Sequence, residues 1–166
     1  MKKILTILLI ISALFLTACP KDSVVRKAAK SSYQLSGLTR DVVAATAKAY
    51  DAGVINTATK NKIAEKLQLI AIGGQKFNQI VTGLNNSSTV PADKQALLNQ
   101  ILSAELAGPF LEILEALKVV SASQAAYLHS ALAALRIAIL TISAAVSQST
   151  HDRFLQRTEG ATWAIA

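Results

Sequence analysis

Three stretches of this chain place apolar residues on a seven-residue period, and that period admits little besides packed α-helices. Ile63, Leu67, Ile70, Gly74, Phe77, Val81 and Leu84 advance in steps of 4, 3, 4, 3, 4 and 3. Leu128, Leu132, Leu135, Ile139, Ile142 and Val146 advance in steps of 4, 3, 4, 3 and 4. Leu35, Leu38, Val42, Ala45 and Ala49 form a shorter stripe of the same kind. Steps of three and four keep side chains on one helix face, and a heptad turns that face toward another helix. Aromatic residues make up 5% of the chain, and Ala, Leu and Ile fill most apolar positions, which favours helix over strand.

Local signals divide the helices. Asp51-Ala52-Gly53 reads as a helix end with glycine in the left-handed position, and Asn56 and Thr57 are candidate caps for the next helix. Asn85-Asn86-Ser87-Ser88 reads as a loop, and Pro91 suits the first turn of a third helix. Ser121-Ala122-Ser123-Gln124 matches a capping box, so a fourth helix is expected to begin there. The expected helices are therefore 23–52, 57–84, 91–120 and 122–149. Four such helices with short connections predict an all-α, up-down-up-down four-helix bundle. Gly108-Pro109 falls inside the third and predicts a kink, because Phe110, Ile113, Leu114 and Leu117 resume an apolar face at once. The alternative makes Gly108-Pro109 a full turn followed by one long helix over 109–149. Gly73-Gly74 inside the second helix predicts a close helix–helix approach, since each glycine costs a helix about 1 kcal/mol relative to alanine.

The amino terminus carries a different message. Met1-Lys2-Lys3 precedes an apolar run of 13 residues, Ile4–Leu16, that contains Thr6 and Ser12. A membrane anchor needs about 20 apolar residues, so this is the pattern of a secretory signal peptide. The run closes in Leu16-Thr17-Ala18-Cys19, which closely resembles the lipobox of bacterial lipoproteins. The resemblance covers the leader alone, and Cys19 is the sole cysteine. It implies cleavage after residue 18, a diacylglycerol thioether and further acyl (palmitate-type) lipid on Cys19, and a mature domain, 19–166, held at a membrane. Each buried methylene contributes about 0.8 kcal/mol, and two or more chains give stable attachment. The Asp that retains many enteric lipoproteins in the inner membrane is absent after Cys19, where Pro20 and Lys21 follow. In a Gram-negative cell this points to the outer membrane, facing the periplasm.

Removal of residues 1–18 from 166 leaves 148, the size of one ordinary domain. The leader holds Lys2 and Lys3, so 15 of the 17 basic residues remain against all 10 acidic ones. Nine of them lie between Lys21 and Lys66, against four acidic residues. Lys21, Arg26, Lys27 and Lys30 lie closest to the anchor and are candidate headgroup contacts, each worth about 1 kcal/mol at an anionic surface. Nucleic acid is a poor partner, because no dense basic cluster is interleaved with aromatics. With Cys19 lipidated no thiol is left for disulfides or thiolate chemistry.

Catalytic and cofactor motifs are missing from the sequence. His129 and His151 have no second His or Cys at helical ligand spacing, so no metal or cofactor is expected. Glu105, Glu112 and Glu115 lie along one helix edge, whereas a glycosidase needs two carboxyl groups in a cleft with opposed environments. Tyr127–Val146 is 20 residues long but carries His129, Ser130, Arg136, Thr141 and Ser143, and a mid-helix Arg costs roughly 2.5–3.5 kcal/mol to insert. Trp163 is a candidate contact for lipid or a partner. The expected function is a non-enzymatic, lipid-anchored binding or structural module of a bacterial or prophage envelope. Its expected partners are the membrane and an envelope protein, with the chain a monomer or small homo-oligomer. The rival is a membrane-active lysis or exclusion factor that inserts Tyr127–Val146. A cell-wall hydrolase is the distant third.

Overall fold

A computed structural model describes residues 24–84, 90–121 and 123–159. The leader, Cys19, Lys21, the Asn85–Ser88 loop and Trp163 lie outside the described residues. Among the described residues every regular element is helical. α1 is Val24–Asp51 and α2 is Thr57–Thr82. α3 is one rod over 92–117, in which Ala92–Ile101 and Gly108–Leu117 are joined by a π-helical turn, Leu102–Ala107. α4 is Ala126–Val146 and α5 is Gln148–Glu159. α1 packs along both α2 and α4, α2 packs on α3, and α5 folds back onto α4.

The second and fourth stripes are buried as the heptads require. Ile63, Leu67, Ile70, Gly74, Phe77 and Val81 are buried in α2, and Leu128, Leu132, Leu135, Ile139, Ile142 and Val146 in α4. In α1 the seam is longer than the apolar residues suggest. Val25, Ala28, Ser32, Leu35, Thr39, Val42, Thr46 and Ala49 are all buried, in unbroken steps of three and four. Three of these eight carry hydroxyls, and each donates back into its own helix. Ser32 Oγ lies 2.9 Å from Ala29 O, Thr39 Oγ1 3.1 Å from Ser36 O, and Thr46 Oγ1 2.7 Å from Val42 O. A hydroxyl bonded this way enters the core without leaving an orphaned donor.

The two glycines of α2 face different neighbours. A Cβ on Gly73 would stand 2.6 Å from Glu105 Cβ and 3.2 Å from Glu105 O, in the π turn of α3. A Cβ on Gly74 would stand 2.9 Å from Leu35 Cδ1 and 3.1 Å from Leu35 Cβ, in α1. One pair of small residues thus lets α2 approach both neighbours closely.

Helix ends follow the sequence signals in part. Gly53 sits at φ 71°, and Val54 N–H bonds Ala49 O while Gly53 N–H bonds Tyr50 O, which closes α1 in a Schellman turn. Asn56 caps α2, its side chain accepting from Thr59 N–H at 2.9 Å. Three points need correction. The alternative that makes Gly108-Pro109 a full turn fails, because the helix runs through both residues, and the change of hydrogen-bond register falls one turn earlier. Gly108 N–H reaches back five residues to Ser103 O, and this wider turn accommodates Pro109, which cannot donate and whose ring crowds the carbonyl four residues back. The long helix over 109–149 is excluded, since α3 ends at Leu117. The Ser121–Gln124 box is half made: Gln124 Oε1 accepts from Ser121 N–H at 3.3 Å, but α4 begins only at Ala126. The fourth expected helix also ends early. Ser147, at φ −158° and ψ 120°, closes α4, and its hydroxyl oxygen accepts from Thr150 N–H at 3.4 Å to start α5.

Candidate functional site

The basic face begins with the first turns of α1. Arg26, Lys27 and Lys30 are exposed there, while Val25, Ala28 and Ser32 on the opposite side enter the core. No acidic residue occupies the first turn of α1, so the positive end of the helix dipole adds to these charges. Gln95 Nε2 donates to Val146 O at 2.8 Å, and Ser32 Oγ lies 3.2 Å from Asn78 Oδ1. The start of α1 therefore shares one end of the molecule with the end of α2, the start of α3 and the α4–α5 corner.

The three glutamates of α3 do not converge. Glu105 pairs with Lys76 at 2.8 Å, and Glu112 pairs with Lys66 at 3.0 Å. Glu115 pairs with Lys118. Lys66 also meets Glu65 at 3.3 Å, and its pKa is raised above the usual lysine value, first by hydrogen bonding to Glu112 and then to Glu65. Glu115 is held below the usual carboxylate value, chiefly by its hydrogen bond to Lys118. A lysine partner stabilises the ionised form, the opposite of what a general acid needs. Among the described residues no group of three or more His, Cys, Asp and Glu is arranged to hold a metal.

α4 carries the polar constellation that the sequence reading dispersed. His129, Arg136 and Ser143 stand seven apart on one stripe of a mostly apolar helix that also carries Ser130 and Thr141. α5 supplies partners for two of them. His151 Nδ1 lies 3.0 Å from Ser143 Oγ and 3.2 Å from Leu140 O. The carbonyl can only accept, so this nitrogen carries the proton. Arg136 Nε donates to Thr158 Oγ1 at 2.8 Å, and Thr158 is buried. Between these two contacts Phe154 packs edge-on against Phe110 of α3, with centroids 5.7 Å apart. His151 thus pins α5 to α4. Arg136 Nη2 is buried without a hydrogen-bond partner among the described residues. Desolvation lowers the His129 pKa below its usual value. The signal for α5 lay in Ser147, followed by His151, Phe154 and Thr158 at helical spacing in a polar stretch.

The remaining surface of α4 is uncharged. Its most apolar 18 residues have a mean hydropathy of 1.7, and 39% of them are buried. Ile137 is 63% exposed and Tyr127 75% exposed, the latter lying under Lys48 Nζ at 4.9 Å from the ring centroid. Cys19, Lys21 and Trp163 fall outside this description. No family model matches the chain, and neither does any curated protein or solved structure.

Proposed function

We propose that this chain is a lipid-anchored, non-enzymatic module of a bacterial or prophage envelope, tethered through Cys19 and binding or bracing an envelope protein. The reading rests above all on the Leu16-Thr17-Ala18-Cys19 resemblance, with its basic and apolar leader. The fold is consistent with that role. The four long helices read as an up-down-up-down bundle with α5 as a wedge between α3 and α4. Exposed Arg26, Lys27 and Lys30 stand at the end of the chain nearest the anchor, where an anionic leaflet would attract them. Lys21 and Trp163 are proposed as further contacts with headgroups and with lipid or a partner.

A membrane-active reading is kept because α4 is 21 residues long and uncharged except at Arg136. The contacts of Arg136 and Ser143 with α5 favour the bundle, because insertion would forfeit them and carry a guanidinium into hydrocarbon at roughly 2.5–3.5 kcal/mol. The hydrolase reading is weakened by the lysine partner of each α3 glutamate.

The deciding experiment is metabolic labelling of the full chain with palmitate in a bacterium. Label is expected in the native chain and not in Cys19→Ala. Equal labelling of both would end the lipoprotein reading. Release of dye from liposomes at low protein-to-lipid ratio, abolished by Ile139→Asp, would move the assignment to the membrane-active class.

A further inference from the structure

The groove between α1 and α2 takes no part in the readings above. It holds a cavity of about 180 Å³, lined by Val43, Thr46, Ala47, Lys60, Ala64 and Leu67. Toward the other end of the same pair of helices, Gly74 brings the α2 backbone against Leu35 of α1. Here the facing side chains are short, and Ala47 and Ala64 leave open the space that longer residues would fill. Leu67 is 2% exposed and forms the floor, while Val43 is 48% exposed and stands on the rim. Thr46 gives its hydroxyl proton to Val42 O at 2.7 Å and so adds no free donor to the wall.

Lys60 is the one charged residue among the six. It is half-buried, and its Nζ lies 4.0 Å from the centroid of the Tyr50 ring. Tyr50 stands near the end of α1 and Lys60 near the start of α2, so the contact holds the ammonium at the end of the groove next to the α1–α2 turn. The ring covers one side of an ammonium that has three donors. The first turn of α2 carries no acidic residue, and the positive end of that helix adds to the charge.

We propose that this groove binds a small amphiphilic carboxylate in free solution, with its apolar body between α1 and α2 and its head on Lys60. Size selects the body. An apolar protein cavity of about 150 Å³ accepts benzene, so this one suits about six to eight carbons, too few for the paired long chains of a phospholipid. Charge selects the head. A single ammonium balances a single carboxylate through a charge-assisted hydrogen bond, whereas a doubly charged phosphate calls for more donors. The inference does not depend on the lipid anchor, because every contact lies within α1 and α2.

The test uses the full chain in nanodiscs of zwitterionic phosphatidylcholine, with acetylation of its lysines read by mass spectrometry. Millimolar octanoate should slow acetylation of Lys60 about threefold and leave exposed Lys62 of the same helix unchanged. Octanol and octylammonium should protect Lys60 far less, since neither carries the anionic head. Ala64→Phe and Ala47→Phe, both at exposed positions, should fill the groove and abolish the octanoate effect without changing helicity. No protection of Lys60, equal protection of Lys62, or an effect that survives both variants would overturn the site. Equal protection by octanol would overturn the pairing with Lys60. Phosphatidylglycerol in the nanodiscs, without octanoate, should leave Lys60 as reactive as before. Protection there would assign the ammonium to bilayer headgroups and overturn the free ligand.

Discussion

At the residue scale, small side chains set the spacing of the helices. A methyl group on Gly73 would meet Glu105 Cβ at 2.6 Å, next to the α3 backbone, whereas on Gly74 it meets mainly the flexible Leu35 side chain. In a helix interior alanine is otherwise favoured by about 1 kcal/mol. Gly73→Ala is therefore expected to destabilise the fold by about 1–3 kcal/mol, as an overpacked contact does. Gly74→Ala should cost less, and chemical denaturation of the two variants side by side checks the order. The hydroxyls of α1 behave in the opposite sense. Thr46 bonds its own helix, and Val42 O keeps its backbone partner when that bond is removed, so Thr46→Val should be neutral or slightly stabilising. His129 gives a pH dependence of known sign. Burial lowers its pKa in the folded state, so the unfolded chain binds the proton more readily. Stability is full above the unfolded value near 6.5 and falls as pH drops from there toward the lowered folded value. A thermal melt at pH 5.5 should lie below one at pH 7.5, and His129→Gln should narrow the difference. Gly74 was legible from the heptad it occupies. Ser32, Thr39 and Thr46 were not, because a polarity pattern does not reveal that a hydroxyl will satisfy itself within its own turn.

At the element scale, periodicity located the cores of the long helices, and tertiary contacts decided their ends. Leu67 and Leu132 lie on the predicted stripes and are buried. Leu67→Ala and Leu132→Ala should each cost about 2–5 kcal/mol by chemical denaturation, and values near zero would mean that the faces are wrongly drawn. The Gly108-Pro109 signal predicts a kink, and the chain accommodates the proline by widening the preceding turn. The widened turn also carries Glu105, which lies close against Gly73 of α2, a contact that no local pattern contains. Gly108→Ala tests the widened turn: the new Cβ would stand 2.8 Å from Ser103 O, a backbone atom that cannot swing aside. A loss of stability that exceeds any helix-propensity gain is expected. α5 escaped detection because its only buried side chains are Phe154 and Thr158, too few for a stripe. What holds it is a register of polar pairs with α4, visible only once the two helices lie side by side. Phe154→Ala should loosen α5 selectively, seen as faster amide exchange over 148–159 with little change in α1 and α2.

At the scale of the whole molecule, the cations nearest the leader and the apolar outer side of α4 stand on different helices. The exposed cations Arg26, Lys27 and Lys30 stand at the start of α1, while the outer side of α4 offers Tyr127, Ile137 and small residues without a charge. A chain tethered just before Lys21 would bring its first helical turns within one or two Debye lengths of the headgroups, close enough to feel an anionic leaflet. The lipid would hold the molecule there, and the cations would set which side of α1 faces the surface. Replacement of Lys21, Arg26, Lys27 and Lys30 by Gln should leave helicity unchanged, since exposed side chains contribute little to the core. It should weaken binding of the unlipidated fragment beginning at Pro20 to anionic vesicles, by up to about 1 kcal/mol per charge at low salt. The difference should shrink as salt is raised, because screening acts on the headgroup attraction and leaves apolar contacts in place. Equal binding of the native fragment to anionic and neutral vesicles at low salt would make these four charges an ordinary solvated helix face, with orientation left to the lipid tether alone.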